Sequence, residues 1–232
     1  GINMYKSSII ICIFITLMTL LIVSGTGKKT TAAAFGCLGG LFVSGILTVI
    51  MDGALKLTGM VDEESVYLTY LNTESPIDLR AVIFASILIG ALGAVMDVAM
   101  SISSSLKEIS DKMKGTSFSV LFKSGITIGR DIMGTMANTL ILAYIGSSMS
   151  VVLLIIAYNN SMRLMFNREM IVVEILQALV GSLGILATIP LTSFIGGIVY
   201  RKKPEYKAVI AKERIDNSSE AQPLEAPDEN EE

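Results

Sequence analysis

The sequence has no histidine and no tryptophan, two cysteines, five prolines, and only 17% charged residues among its 232. Each scarcity excludes something. Without histidine the usual catalytic triads are gone, along with the commonest metal ligand and the side chain that ordinarily titrates near neutral pH. Cys12 and Cys37 both fall inside apolar runs. They read as buried thiols, not as a disulfide or metal site, so no metal and no cofactor is expected. A soluble domain of this size is about a quarter charged.

What is abundant is apolar: 52% of the residues are hydrophobic and the mean hydropathy is +0.64. Several runs of about twenty apolar residues predict an all-α integral membrane protein. Five spans are expected, over residues 4–23, 31–55, 80–106, 131–157 and 170–200. They form one transmembrane helical domain over 1–200. The tail, 201–232, begins Arg-Lys-Lys, turns acidic and reads as a disordered segment. The chain opens on Gly1 without an initiator methionine, so it is expected to be a fragment or a processed product. Its first apolar run is too long for a signal peptide and lacks a small-residue cleavage site.

The third span carries a carboxylate in its interior. Stepping from Asp97 by three or four residues reaches Gly93 and Gly90 one way, and Ser101, Ser104 and Glu108 the other. The opposite face is Leu92, Val95, Ala99, Ile102 and Leu106. Asp97 is therefore expected to face protein or water and not lipid. Two roles fit: half of a hydrogen bond holding two helices together, or a group that moves an ion or substrate. In the first case the stripe packs; in the second it conducts.

The other spans carry quieter patterns. Gly36, Gly40 and Ser44 recur every fourth residue, the spacing that lets two membrane helices approach closely. Gly125 and Gly129 form another such pair just before Arg130 and Asp131, which read as a cytoplasmic entrance. Gly134, Thr135 and Asn138 share a face of the fourth span. On the fifth, Glu174, Gln177, Gly181, Gly184 and Thr188 do the same, and Pro190 is expected to bend or interrupt the helix. Thr192 and Ser193 follow it, able to satisfy freed carbonyls. The acidic connector 56–78 reads equally well as an interfacial helix or a plain loop.

Charge sets the orientation. Lys28 and Lys29, the five basic residues of the 107–130 connector, and six in the tail account for most of the 18 Lys and Arg. The positive-inside rule then puts the N-terminus outside and the C-terminus in the cytoplasm.

Two blocks carry a resemblance: Gly90-Ala-Leu-Gly-Ala-Val-Met-Asp-Val-Ala-Met-Ser-Ile102, and the run from Gly129-Arg-Asp-Ile-Met-Gly-Thr-Met-Ala-Asn138 to Ser148. They resemble the YibE/YibF-like family of bacterial membrane proteins, with similarity extending from about Lys28 to Tyr200. That resemblance implies a multi-pass protein of the bacterial plasma membrane, with further hydrophobic sequence upstream. A glycine four residues before a mid-membrane aspartate is also similar to one half of an RND-type transporter, in which such carboxylates belong to a proton relay. Only Asp97 carries over, with Gly93 as its packing partner. No second aspartate stands beside it, and no large extracytoplasmic domain lies in the chain.

The expected function is an ion- or proton-coupled transporter, or its transmembrane half. Asp97 would be the titrating group, Ser101, Ser104, Thr135 and Asn138 neutral ligands, and Glu174 with Gln177 an outer vestibule. The alternative is a non-transporting assembly protein whose polar stripes only pack helices. An enzyme is not expected: serine intramembrane proteolysis wants a histidine, and the aspartyl kind wants Tyr-Asp and Gly-x-Gly-Asp motifs, both absent. The expected partners are the lipid bilayer and a second copy or related family member, with no nucleic acid.

Overall fold

A computed structural model describes residues 4–61, 63–71, 77–113, 115–157 and 168–201. Among them there are seven helices and no strand: α1 Met4–Ser24, α2 Lys28–Leu55, α3 Glu63–Leu71, α4 Leu79–Lys112, α5 Phe118–Ser147, α6 Met149–Ala157 and α7 Glu169–Tyr200. Four of these, α1, α2, α4 and α7, are long and apolar enough to cross a membrane. The basic-then-acidic tail beyond Arg201 lies outside the described residues.

The exterior identifies the solvent. Along α1 the buried residues are Ser8, Cys12, Thr16 and Leu20, while Ile10, Phe14 and Ile22 are 65%, 58% and 82% exposed. In water that arrangement is inside out. In lipid it is the expected one, because hydrocarbon accepts isoleucine and small polar side chains let helices meet. The buried hydroxyls satisfy themselves on their own helix: Ser8 Oγ donates to the Met4 carbonyl at 2.8 Å and Thr16 Oγ1 to the Cys12 carbonyl at 2.7 Å. The chain is a multi-pass membrane protein.

Two helices organise the rest. α7 packs against α2, α4 and α5, and α4 packs against α1, α2, α5 and α7. The α2–α7 seam is a ladder of small residues. A methyl group added at Gly36 or Gly40 would collide with Thr192 or Thr188, and one at Gly184 would collide with Ser44. Backbone-to-backbone approach of this kind requires glycine on at least one side. α5 lies on α7 and α4 through Gly125, facing Ser193 and Leu106, and Gly129, facing Ile189 and Ile102. The α4 side chains filling the centre are Val95, Ala99, Ile102 and Leu106, all fully buried.

Helix boundaries differ from the hydropathy reading in two places. α4 extends to Lys112 and begins after Asp78, whose carboxylate accepts from Arg80 N at 3.1 Å and Ala81 N at 3.3 Å. This is an N-cap, and it fixes the start. The expected fourth span, 131–157, is two helices: α5 starts at Phe118, capped by Ser117, and stops at Ser147, one residue before α6. Lys123 and Arg130 hid its first half from a reading based on apolar runs. Pro190 does not interrupt α7, which runs unbroken through it. Its ring lies on an exposed face, and Ser193 Oγ donates to Ile189 O, not to the carbonyl that Pro190 frees. The open choice over 56–78 resolves in part as α3, with Tyr67 and Tyr70 exposed; residues 62 and 72–76 lie outside the described residues.

Candidate functional site

The polar residues singled out from the sequence separate into two groups at different depths. The first surrounds Asp97. It lies 18 residues after Leu79 and 15 before Lys112, so within about 3 Å of the middle of α4. The aliphatic face opposite it is the buried one, and Asp97 itself is exposed on the outside of the bundle. Of the two surroundings expected for it, protein or water, no other helix of this chain supplies the first among the described residues. The small-residue faces of α2 and α7 take up the aliphatic face of α4 and leave the polar stripe outward. Among the described residues Asp97 makes no hydrogen bond and no ion pair.

Its neighbours on the stripe follow suit. Gly93 is exposed, and a methyl group added there would meet nothing within 4 Å, so it packs against no helix. Ser101 and Ser104 are half-buried, and Ser104 Oγ donates to the Met100 carbonyl at 2.7 Å. α5 repeats the pattern. Arg130, Asp131, Gly134, Thr135 and Asn138 are all exposed, and Gly134, like Gly93, meets nothing. Thr135 Oγ1 bonds back to the Ile132 carbonyl at 2.9 Å. The contacts of Gly129 with Ile102 and of Tyr144 with Gly90 fix the antiparallel register. Halfway between them, Asp97 comes level with Thr135 and Met136. Two neighbouring helices therefore each expose polar side chains at the same membrane depth. Beyond the apolar part of α4, Glu108 and Lys112 pair at 2.7 Å; their hydrogen bond, then their mutual charge, lowers the Glu108 carboxyl pKa and raises that of Lys112.

The second group lies nearer the start of α7. Gly90 on α4 is the floor: a methyl group there would sit 2.6 Å from Tyr144 Oη and 2.7 Å from Gln177 Nε2. Gln177 Nε2 also reaches the Ser86 carbonyl at 3.5 Å. One turn back along α7 is Glu174. Its Oε2 is enclosed and, like Ser148 Oγ, has no hydrogen-bond partner among the described residues, whereas the Tyr144 hydroxyl pairs with the Gln177 side chain. Tyr144 and Ser148 are four residues apart, so they share a face at the end of α5. All three residues line one cavity of about 320 Å³ between α5, α6 and α7. Seven residues separate Gly90 from Asp97, about 10 Å along the helix. Glu174 and Gln177, expected as an outer vestibule, thus stand apart from Asp97 along the membrane normal. Gly181, by contrast, stands at a close contact, with Leu140 filling the space a methyl would need.

Tyr144 and Ser148 escaped the sequence reading. Their signal was present in the four-residue spacing at the end of an apolar run, but without Gly90 as a marker of close approach nothing singled them out. No group of three or more Cys, Asp or Glu among the described residues has metal-holding geometry.

A family model described as YibE/F-like protein matches residues 1–202. No curated protein and no solved structure matches the chain.

Proposed function

The chain belongs to the YibE/F-like family, and from that premise we propose that it is an ion- or proton-coupled transporter of the bacterial plasma membrane, or the transmembrane half of one. Asp97 is its titrating group. The observation that carries the reading is the exposure of Asp97 at mid-helix, level with an exposed polar face of α5. A carboxylate at that depth is costly against hydrocarbon and usually functional. A second copy of the chain, or a related family member, completes the face and encloses a polar path lined by Asp97, Ser101, Ser104, Thr135 and Asn138. The proposal is of transport, not of catalysis.

The competing reading, an assembly protein, draws on the same exposed stripe and makes Asp97 a hydrogen-bonding contact between subunits. One substitution separates them. Asp97→Asn keeps shape and hydrogen bonding but removes titration. Reconstituted in proteoliposomes, it should lose proton flux while keeping its oligomeric state and melting temperature, whereas Asp97→Leu should lose all of them. Full flux in Asp97→Asn would sink the transport role.

The proposed orientation puts the Tyr200 end in the cytoplasm, as the charge distribution implies. With Cys12 and Cys37 both buried, Tyr70→Cys and Lys112→Cys give clean labelling sites. An impermeant maleimide on intact cells should modify Cys at 70 and spare 112; the reverse pattern would invert the topology.

A further inference from the structure

The cavity beside Glu174 is not needed for the Asp97 reading and rests on different residues. Its volume of about 320 Å³ falls at the lower end of the ~300–1,000 Å³ typical of small-ligand sites. The walls are almost wholly apolar, with Ile145, Val152 and Leu179 among them. Ile145 and Leu179 are about half exposed, so the cavity opens sideways toward lipid.

Three oxygens stand at this apolar space: a carboxylate from Glu174, a phenol from Tyr144 and a hydroxyl from Ser148. Glu174 Oε2 and Ser148 Oγ have no hydrogen-bond partner among the described residues, Tyr144 Oη has the Gln177 side chain alone, and Ser148 is only 7% exposed. Among the described residues no basic side chain lines the cavity. An enclosed carboxylate oxygen and an enclosed hydroxyl without partners are each destabilising. Such groups meeting by accident beside a phenol is costly; meeting around a cation that donates to all three oxygens is not.

We infer that this cavity binds a primary ammonium carried on an apolar chain. An ammonium has three N–H donors and no acceptor, matching one charged and two neutral oxygen acceptors. Its alkyl chain takes the aliphatic walls. A guanidinium would demand a planar, two-oxygen fork, of which Glu174 presents only one enclosed oxygen. A metal ion would leave the apolar walls without a purpose. The level of the site fits as well. Glu174 is five residues into α7, about 8 Å from the helix start, where an amphiphile holds its head group. A phospholipid head group and a free alkylamine both carry this ammonium, and the experiment tells them apart.

The full chain is placed in nanodiscs of phosphatidylcholine, whose quaternary head group has no N–H donor. Binding of n-hexylammonium is measured by titration calorimetry against empty discs, with n-hexanol as the uncharged control. Expected is saturable binding of one n-hexylammonium per chain and none of n-hexanol. Glu174→Gln should weaken it tenfold or more, and Tyr144→Phe, which preserves the ring and the packing over Gly90, should weaken it severalfold. Circular dichroism and size-exclusion profiles of both variants should match the parent. Replacing part of the phosphatidylcholine with phosphatidylethanolamine then assigns the source: competition identifies a lipid head group, and undiminished binding identifies a free amine. Equal binding of n-hexylammonium to parent and Glu174→Gln, saturable binding of n-hexanol, or no saturable binding at all would each overturn the inference. Because Asp97 is untouched throughout, failure here leaves the transport experiment standing, and the converse.

Discussion

At the Tyr200 end of the bundle, buried oxygens meet each other. Ser103 Oγ donates to the Lys29 carbonyl at 2.9 Å and lies 3.0 Å from the Tyr200 hydroxyl, while Ser110 Oγ donates to the Tyr200 carbonyl at 2.8 Å. One clasp draws together the start of α2, the last turns of α4 and the end of α7. Of the buried hydroxyls in that half, Thr116, in the turn before α5, and Thr192, on α7, lack a partner among the described residues. At the Glu169 end the pattern is reversed. Glu174, Tyr144 and Ser148 converge on a cavity, and the enclosed oxygens of Glu174 and Ser148 bond to nothing described. The same residue chemistry serves opposite ends: Ser103 and Ser110 are satisfied by the chain itself, and Glu174 and Ser148 are not. Lack of a partner alone does not mark a site, since Ser44 Oγ and Thr192 Oγ1 in the α2–α7 seam also bond to nothing described; those two face glycines, whereas Glu174 and Ser148 face a cavity.

Substitutions at the seam and at the two ends separate the two kinds of polar group. The largest effect belongs to the seam that both ends depend on. Gly40→Leu drives a side chain into Thr188 and the backbone of Gly184, at or beyond the upper end of the ~1–3 kcal/mol that overpacking costs. The variant should fail to give a monodisperse, helical protein on size exclusion, and an unchanged melting temperature would remove the α2–α7 seam from the account. Smaller, and of opposite outcome at the two ends, is a matched pair. Ser103→Ala strands the Tyr200 hydroxyl and removes a second bond from the Lys29 carbonyl, and should cost about 1–3 kcal/mol. Glu174→Gln without added amine should cost nothing, or gain up to about 1 kcal/mol, since it removes an unpaired charge. Thermal unfolding followed by circular dichroism reads both. Equal destabilisation at the two ends would mean that Glu174 holds helices together after all.

Much of this architecture is legible in the residues. The apolar runs locate α1, α2, α4 and α7, and the four-residue rhythm of Gly36, Gly40 and Ser44 marks the face that meets α7. What periodicity does not carry is the choice of partner. A helix with one aliphatic and one polar face, such as α4, is consistent with either face turned inward. The decision rests with α2 and α7, whose glycines and threonines let the aliphatic side of α4 come close. That is why Asp97 stands outward and Gly93 packs against nothing. The length of α5 was hidden for another reason: Lys123 and Arg130 interrupt the hydropathy of a helix whose cap, Ser117, follows Gly115 at φ 79°. The Glu174 cavity needs residues from α5 and α7 that are thirty positions apart, and only their packing over Gly90 brings them together.

α7 is fastened at both ends. At its start, the Glu169 carboxylate accepts from Thr58 N at 2.8 Å and Gly59 N at 2.7 Å, as well as from the Thr58 hydroxyl. At its finish, Tyr200 is held by Ser103 and Ser110. Between the two anchors runs a rod about 48 Å long, with one rung missing from its ladder where Pro190 has no N–H to give to the Leu186 carbonyl. The missing bond falls just past Gly184 and beside Thr188, where α7 presses on α2, so packing against a neighbour, and not the helix ladder alone, keeps the rod continuous between the Glu174 cavity and the Tyr200 clasp.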